Sequence, residues 1–240
     1  MVATPDASAV AADGHVDPSE WFGRYRDPTL SELELQALEW LDGFYELEHL
    51  LATRRWAIRL RPHASPELKL AALVHDAERH FPGGPTSTPT RFDDPSYLFA
   101  HSIRAAEFVD GFLEGLGTVD DDFRYRVRSL VLRHEVGGGV EADVLQAADS
   151  LSFLDTLRWL TVQWVQSGRY TVEQAKGKHA YMLERMRPTE AHELGLPMYE
   201  LAVRDLEQAD RAVLDGRLQI ACDYRLLLGM APASRTGGDR

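Results

Sequence analysis

One cysteine, Cys222, stands in a chain of 240 residues. An intramolecular disulfide is therefore excluded, and a reducing compartment is implied. Standing alone near the C-terminus, Cys222 reads as a small core residue. Basic residues are also scarce: 26 Lys and Arg against 38 Asp and Glu give a net charge of −12. That deficit argues against a nucleic-acid polymer as partner, because such a partner needs a basic face. A single nucleotide is not excluded, since a small site needs only a few local cations. No stretch approaches the ~20 apolar residues of a membrane span. The chain does not open on a basic region followed by an apolar segment. The expectation is a cytoplasmic protein with no membrane partner. Runs of β-branched alternation long enough for a sheet are missing, as are internal repeats, a nucleobase motif and a glycine-rich phosphate loop.

Helical periodicity is what the chain does have. With 44% hydrophobic and 27% charged residues it is ordinary for a globular protein and long enough to bury a sizeable core. Residues 1–18 and 231–240 carry no apolar period and are expected to be mobile tails. Residues 19–230 are expected to form one all-α domain, a helical bundle. Its helices are read at 29–42, 45–61, 66–81, 95–116, 119–135, 141–167, 171–187, 197–214 and 217–228. The signals are caps and breakers: Ser65 before Pro66, Asp94 before Pro95, Gly117, Gly137-Gly138-Gly139, Gly168, and Thr171 with Gln174 three residues on. Residues 82–95, with Pro82, Pro85, Pro89 and Pro95, make a connection long enough to be a lid or binding loop.

The chain is organised around Leu70-Ala71-Ala72-Leu73-Val74-His75-Asp76-Ala77-Glu78-Arg79. Residues 70–74 are apolar on every side, which places them in a core. They run straight into a His-Asp pair that is costly to bury unless something compensates the charge. Other polar groups fall on apolar stripes of other helices. His49 shares a face with Tyr45, Ala52, Trp56 and Leu60; His101 with Leu98, Ala105, Phe108 and Phe112. His134 lies on the stripe of Phe123, Val127, Leu130 and Val131, and Asp149 on that of Ala142, Leu145, Ser152 and Thr156. One inward histidine is more often a hydrogen-bonded core residue than a ligand. Six inward groups (His49, His75, Asp76, His101, His134 and Asp149) need many partners if buried without a cation. One or two metals satisfy them together, and imidazole with carboxylate is a common ligand set.

The order His, His-Asp, His, His, Asp resembles the HD-domain superfamily. The local contexts are Glu48-His49, Ala72-Leu73-Val74-His75-Asp76, His101-Ser102-Ile103-Arg104, Arg133-His134-Glu135-Val136-Gly137-Gly138 and Ala147-Ala148-Asp149. The stretch after His134 is similar to the bacterial HD hydrolases that split diadenosine tetraphosphate. The resemblance implies an HD-like helical bundle with two divalent ions (Fe, Mn, Co or Zn). His49, His75, Asp76 and Asp149 would hold the first; Asp76 would bridge to a second held by His101 and His134. Arg79 stands where many HD enzymes have a substrate-contacting lysine. It keeps the charge and offers a fork suited to phosphate or carboxylate. Asp76 and Arg79 are thus the expected catalytic pair. Arg79, Arg91, Arg104 and Lys178 are the candidates for contact with an anionic small molecule. Glu135 is a candidate for orienting an imidazole. His15, His63, His80 and His192 fall in tails, loops or helix ends and are assigned no function.

Three function classes follow. The first is metal-dependent hydrolysis of a phosphoester or phosphoanhydride, such as a nucleotide or a small phosphorylated metabolite. It is favoured because most HD proteins are hydrolases. The second is a di-iron oxygenase cleaving a C–C or C–P bond with dioxygen, as in HD members such as myo-inositol oxygenase with the same ligand types. The third is a helical module whose histidines are structural.

Overall fold

The computed structural model of the chain describes residues 29–83 and 92–209. The expected tails over 1–18 and 231–240, the helix over 217–228, Arg91 and Cys222 fall outside the described residues. Every regular element among those described is helical, with no strand among them. The α-helices are α1 (Glu32–Trp40), α2 (Leu47–Leu60), α3 (Pro66–Val74), α4 (Pro95–Leu116), α5 (Asp121–Arg133), α6 (Val140–Thr156), α7 (Arg158–Gln166), α8 (Val172–Glu184) and α9 (Thr189–Ala209). A single 3₁₀ turn, Ala77–His80, follows α3.

Local chemistry sets most starts. Ser65 Oγ accepts from Leu68 N–H with Pro66 at the first helical position. Asp94 does the same for α4 with Pro95, and Asp120 for α5. Ser31 with Glu34 and Thr171 with Gln174 are reciprocal capping boxes, which satisfy backbone donors that a helix start leaves unpaired. Gly117, at φ 64°, closes α4 in the left-handed conformation that glycine adopts without strain.

α3 lies at the centre. Leu70 to Val74 are at most 1% exposed, and the helix packs against α1, α2, α5 and α6. α2 lies along α6, α4 along α5, and α8 along α9. The core thus surrounds the short helix that leads into His75 and Asp76.

Three expected helices are corrected. The one over 66–81 stops at Val74. His75 Nδ1 lies 3.1 Å from the Ala72 carbonyl, the backbone leaves the α region at Asp76 (φ −103°, ψ 14°), and the buried side chains of His75, Asp76 and Glu78 are drawn onto neighbouring helices. The helix over 141–167 breaks at Leu157 (φ −110°, ψ 11°). The turn keeps Leu154 and Leu157 in the core while carrying Trp159 and Val162 back into it. The helix placed at 197–214 begins at Thr189 and runs through Pro197. A proline inside a helix loses one hydrogen bond and crowds the preceding turn, but here tertiary packing outweighs that. Gly195 sits where a Cβ would press on Leu183, Met186 and Leu154, so its bareness lets α9 close on α8 and α6.

One buried ion pair ties the start of the described chain to this core. Arg54 and Glu34 are 1% and 3% exposed. Arg54 Nε donates to Glu34 Oε1 at 2.6 Å, and its NH2 donates to the Thr29 carbonyl at 2.9 Å. Removing one member strands the other charge, which typically costs about 3 kcal/mol or more. Glu34→Ala is therefore expected to destabilise the protein by about that amount. Glu34→Leu combined with Arg54→Met is expected to restore most of it, measured by urea unfolding.

Candidate metal centre

Six side chains singled out in the sequence converge on one buried pocket. His75, His101 and His134 are fully buried, His49 almost so, and Asp76 and Asp149 are 8% and 5% exposed. They come from different elements. His49 lies in the first turn of α2, His75 and Asp76 follow α3, His101 is inside α4, His134 ends α5, and Asp149 is inside α6.

Each imidazole is oriented through Nδ1. His75 and His134 share one device: each is the residue that ends its helix, and each turns Nδ1 onto the carbonyl three residues back. His75 donates to Ala72 O at 3.1 Å and His134 to Val131 O at 2.7 Å. A helix C-terminus leaves such carbonyls without a backbone partner, so the ring caps the helix and is itself held. Ser152 Oγ donates to the His49 carbonyl at 2.7 Å and lies 2.8 Å from His49 Nδ1, from which it accepts. His101 Nδ1 donates to Glu78 Oε1 at 2.8 Å. With every Nδ1 donating, the four Nε2 atoms are the ring nitrogens turned inward, each able to offer a lone pair when its ring is neutral.

What the Nε2 atoms meet is carboxylate oxygens and one another. His49 Nε2 and His75 Nε2 lie 3.2 and 3.5 Å from Asp149 Oδ1. His101 Nε2 and His134 Nε2 lie 2.8 and 3.8 Å from Asp76 Oδ1, and 3.2 Å from each other. His75 Nε2 is 3.9 Å from Asp76 Oδ2 and is buried with no hydrogen-bond partner. Asp76 therefore turns one oxygen to the His101–His134 pair and the other to His75. Three overlapping groups have ligand atoms within 4.8 Å of one another and could hold a metal ion: His49, His75 and Asp76; Asp76, His101 and His134; His134, Glu135 and Asp149. The stranded nitrogen of His75 and the carboxylates crowded against four imidazoles suit a cation, for which imidazole and carboxylate are a common ligand set.

Electrostatics separate the groups. Burial pulls the His134 imidazole down to about 4, keeping it neutral. Burial also opposes charge on His101, but Asp76 and Glu78 outweigh it and raise the ring to about 9. Burial disfavours the Asp76 and Asp149 carboxylates, yet the guanidiniums beside them, Arg79 and Arg185 respectively, hold both well below the usual range.

The expected substrate contacts fall in different surroundings. Arg79 Nε is 3.0 Å from Asp76 Oδ2, and its NH1 donates to Tyr97 Oη at 3.3 Å. Arg104 turns away from the pocket: it donates to Glu78 Oε2 at 2.9 Å and to the Pro82 carbonyl at 2.8 Å, and lies over the Phe108 ring. Lys178 is half-buried, its ammonium 5.0 to 5.7 Å from the rings of Phe153, Tyr181 and Phe92. Burial pushes it down to about 8, with Glu135 and Asp149 pulling up and Arg185 pulling down. Arg91 is outside the described residues.

Comparison with known proteins returns nothing: no family model matches the chain, and searches of curated proteins and of solved structures give no significant match. The case for the site therefore rests on its own geometry.

The structure also brings Glu78 and Arg185 to the site. Glu78, 2% exposed, faces His101 only because the chain leaves the α-helix after Val74, a turn that no glycine or proline announces. Arg185, which ends α8, pairs with both Asp149 and Glu135 and donates to Ser150 Oγ at 2.7 Å. Its position depends on α8 packing against α6. A ligand that binds only the folded state raises stability, by about 2.7 kcal/mol at a hundred times its Kd. Mn²⁺ is therefore expected to raise the melting temperature of the wild-type chain by several degrees in a thermal scan, and to leave Asp76→Asn unmoved.

Proposed function

We propose that the protein is a metal-dependent hydrolase of a phosphoester or phosphoanhydride, of the HD type that its ligand order resembles. His49, His75, Asp76 and Asp149 would hold one divalent ion, and Asp76, His101 and His134 a second. The observation that carries this reading is Asp76, whose Oδ1 faces the His101–His134 pair and whose Oδ2 faces His75. Bound there, a pair of divalent ions supplies Lewis acidity and a water acidic enough to ionise near neutral pH.

The chain's own residues do the rest. Glu78, Ser152 and the carbonyls of Ala72 and Val131 hold the imidazoles in the tautomer that presents Nε2. Arg79 provides a guanidinium at the edge of the pocket, beside Asp76 and Tyr97. Its planar fork suits two phosphoryl oxygens. Lys178, near enough to Glu135 and Asp149 to feel their charges, adds a second cation. Together they provide the local positive charge that a chain of net charge −12 needs to receive an anion.

The deciding experiment is elemental analysis of protein purified without added metal, then a phosphate-release screen over nucleotides and small phosphoesters. Two ions per chain and phosphate release are expected, both abolished in Asp76→Ala. A metal-free protein would overturn the reading, and oxygen consumption by the iron-loaded protein in place of phosphate release would move it to the oxygenase class. Arg79→Ala is expected to keep its metal and raise KM roughly 10- to 100-fold, the range for one lost charged hydrogen bond. KM for an anionic substrate is expected to rise above about pH 8, as Lys178 loses its proton. Lys178→Arg, charged at every working pH, is expected to flatten that rise in a pH–KM profile.

A further inference from the structure

We infer that Glu135 is a fourth protein ligand in the His101–His134 half of the centre, so that each half holds two imidazoles and two carboxylates with Asp76 common to both. This rests on the metal-centre reading above and adds a residue that the HD resemblance does not supply.

Four observations point to it. Glu135 is 7% exposed, and its Oε1 lies 3.8 Å from His134 Nε2 and 3.9 Å from His101 Nε2. Its ligand atom falls within 4.8 Å of those of His134 and Asp149. Oε2 is taken by Arg185, which leaves Oε1 as the oxygen directed at the imidazoles. His134 spends Nδ1–H on Val131 O, which leaves Nε2 as the ring nitrogen facing that oxygen. A ring nitrogen and a carboxylate oxygen held 3.8 Å apart in a buried space, too far for a hydrogen bond, leave room for a cation between them.

The backbone is built to bring Glu135 inward. His134 and Glu135 are consecutive, and an α-helix separates consecutive side chains by about 100°. Both face the pocket because α5 ends at Arg133. Gln146 Nε2 then donates to the Glu135 carbonyl at 2.8 Å. Gly137 turns the chain at φ +68°, where a Cβ would meet the Asp143 carboxylate. Without Glu135 the two halves are unequal, His49, His75, Asp76 and Asp149 against Asp76, His101 and His134. With it the donor sets match.

The test is Mn²⁺ titration of the chelator-stripped full chain, with free Mn²⁺ read by electron paramagnetic resonance. Wild type is expected to bind two ions. Glu135→Gln is expected to leave the tighter ion unchanged and weaken the other roughly tenfold or more, at least the effect of losing an outer-shell partner. His101→Ala serves as the reference for loss of that ion. Because Glu135→Gln also disturbs Arg185, Glu135→Asp is measured beside it: the charge is kept but the carboxylate is drawn back by one methylene, and the same selective weakening is expected. Co²⁺-loaded Glu135→Gln should show altered d–d bands, which a change of charge at a distance would not produce. Two Mn²⁺ bound at wild-type affinity in both variants, or unchanged Co²⁺ bands, would overturn the assignment of Glu135 while leaving the metal centre standing. A wild-type chain that binds no Mn²⁺ would overturn both.

Discussion

The described core is built around a buried cluster of imidazoles and carboxylates whose charges must be balanced. Four imidazole Nε2 atoms are turned inward because their Nδ1 atoms are already committed. They meet the carboxylates of Asp76 and Asp149, with Glu135 beside them. Burying such groups without compensation is expensive. Arg79 and Arg185 offset part of the negative charge by pairing with Asp76 and Asp149. Neither reaches His75 Nε2, which remains buried without a hydrogen bond. α3, whose residues 70–74 are at most 1% exposed, leads directly into the cluster.

Helix ends do much of the construction. His75 and His134 each terminate a helix and cap it with the ring that also faces the pocket. Local stability and site geometry are thereby the same interaction: the helix needs a donor for a free carbonyl, and the imidazole needs its tautomer held. Asp76 and Glu135 each follow one of these residues, so each helix end delivers an imidazole and a carboxylate together. The two residues inside helices, His101 and Asp149, are supported from the side, by Glu78 on one and Arg185 on the other.

The same charges shape what the pocket can receive. Of the candidate cations, Arg104 is occupied by Glu78 and by carbonyls at the end of the 3₁₀ turn, which ties down the segment carrying Arg79. Arg79 is paired with Asp76, and Lys178 lies among aromatic rings within electrostatic range of Glu135 and Asp149.

The all-helical class, the apolar character of residues 70–74 and the inward direction of His49, His75, His101, His134 and Asp149 were legible in the sequence by itself. Each rests on periodicity or on a cap, and these are local quantities. Tertiary structure alone decided where α3 stops, that the chain breaks at Leu157, that α9 passes through Pro197, and that Glu78, Glu135 and Arg185 turn toward the ligands. No nearby residue encodes those outcomes. Each is settled by competition between a backbone hydrogen bond and a side-chain contact with a distant helix: Glu78 with His101, Arg185 with Asp149, Gly195 with Leu183 and Met186. Only packing brings those partners together.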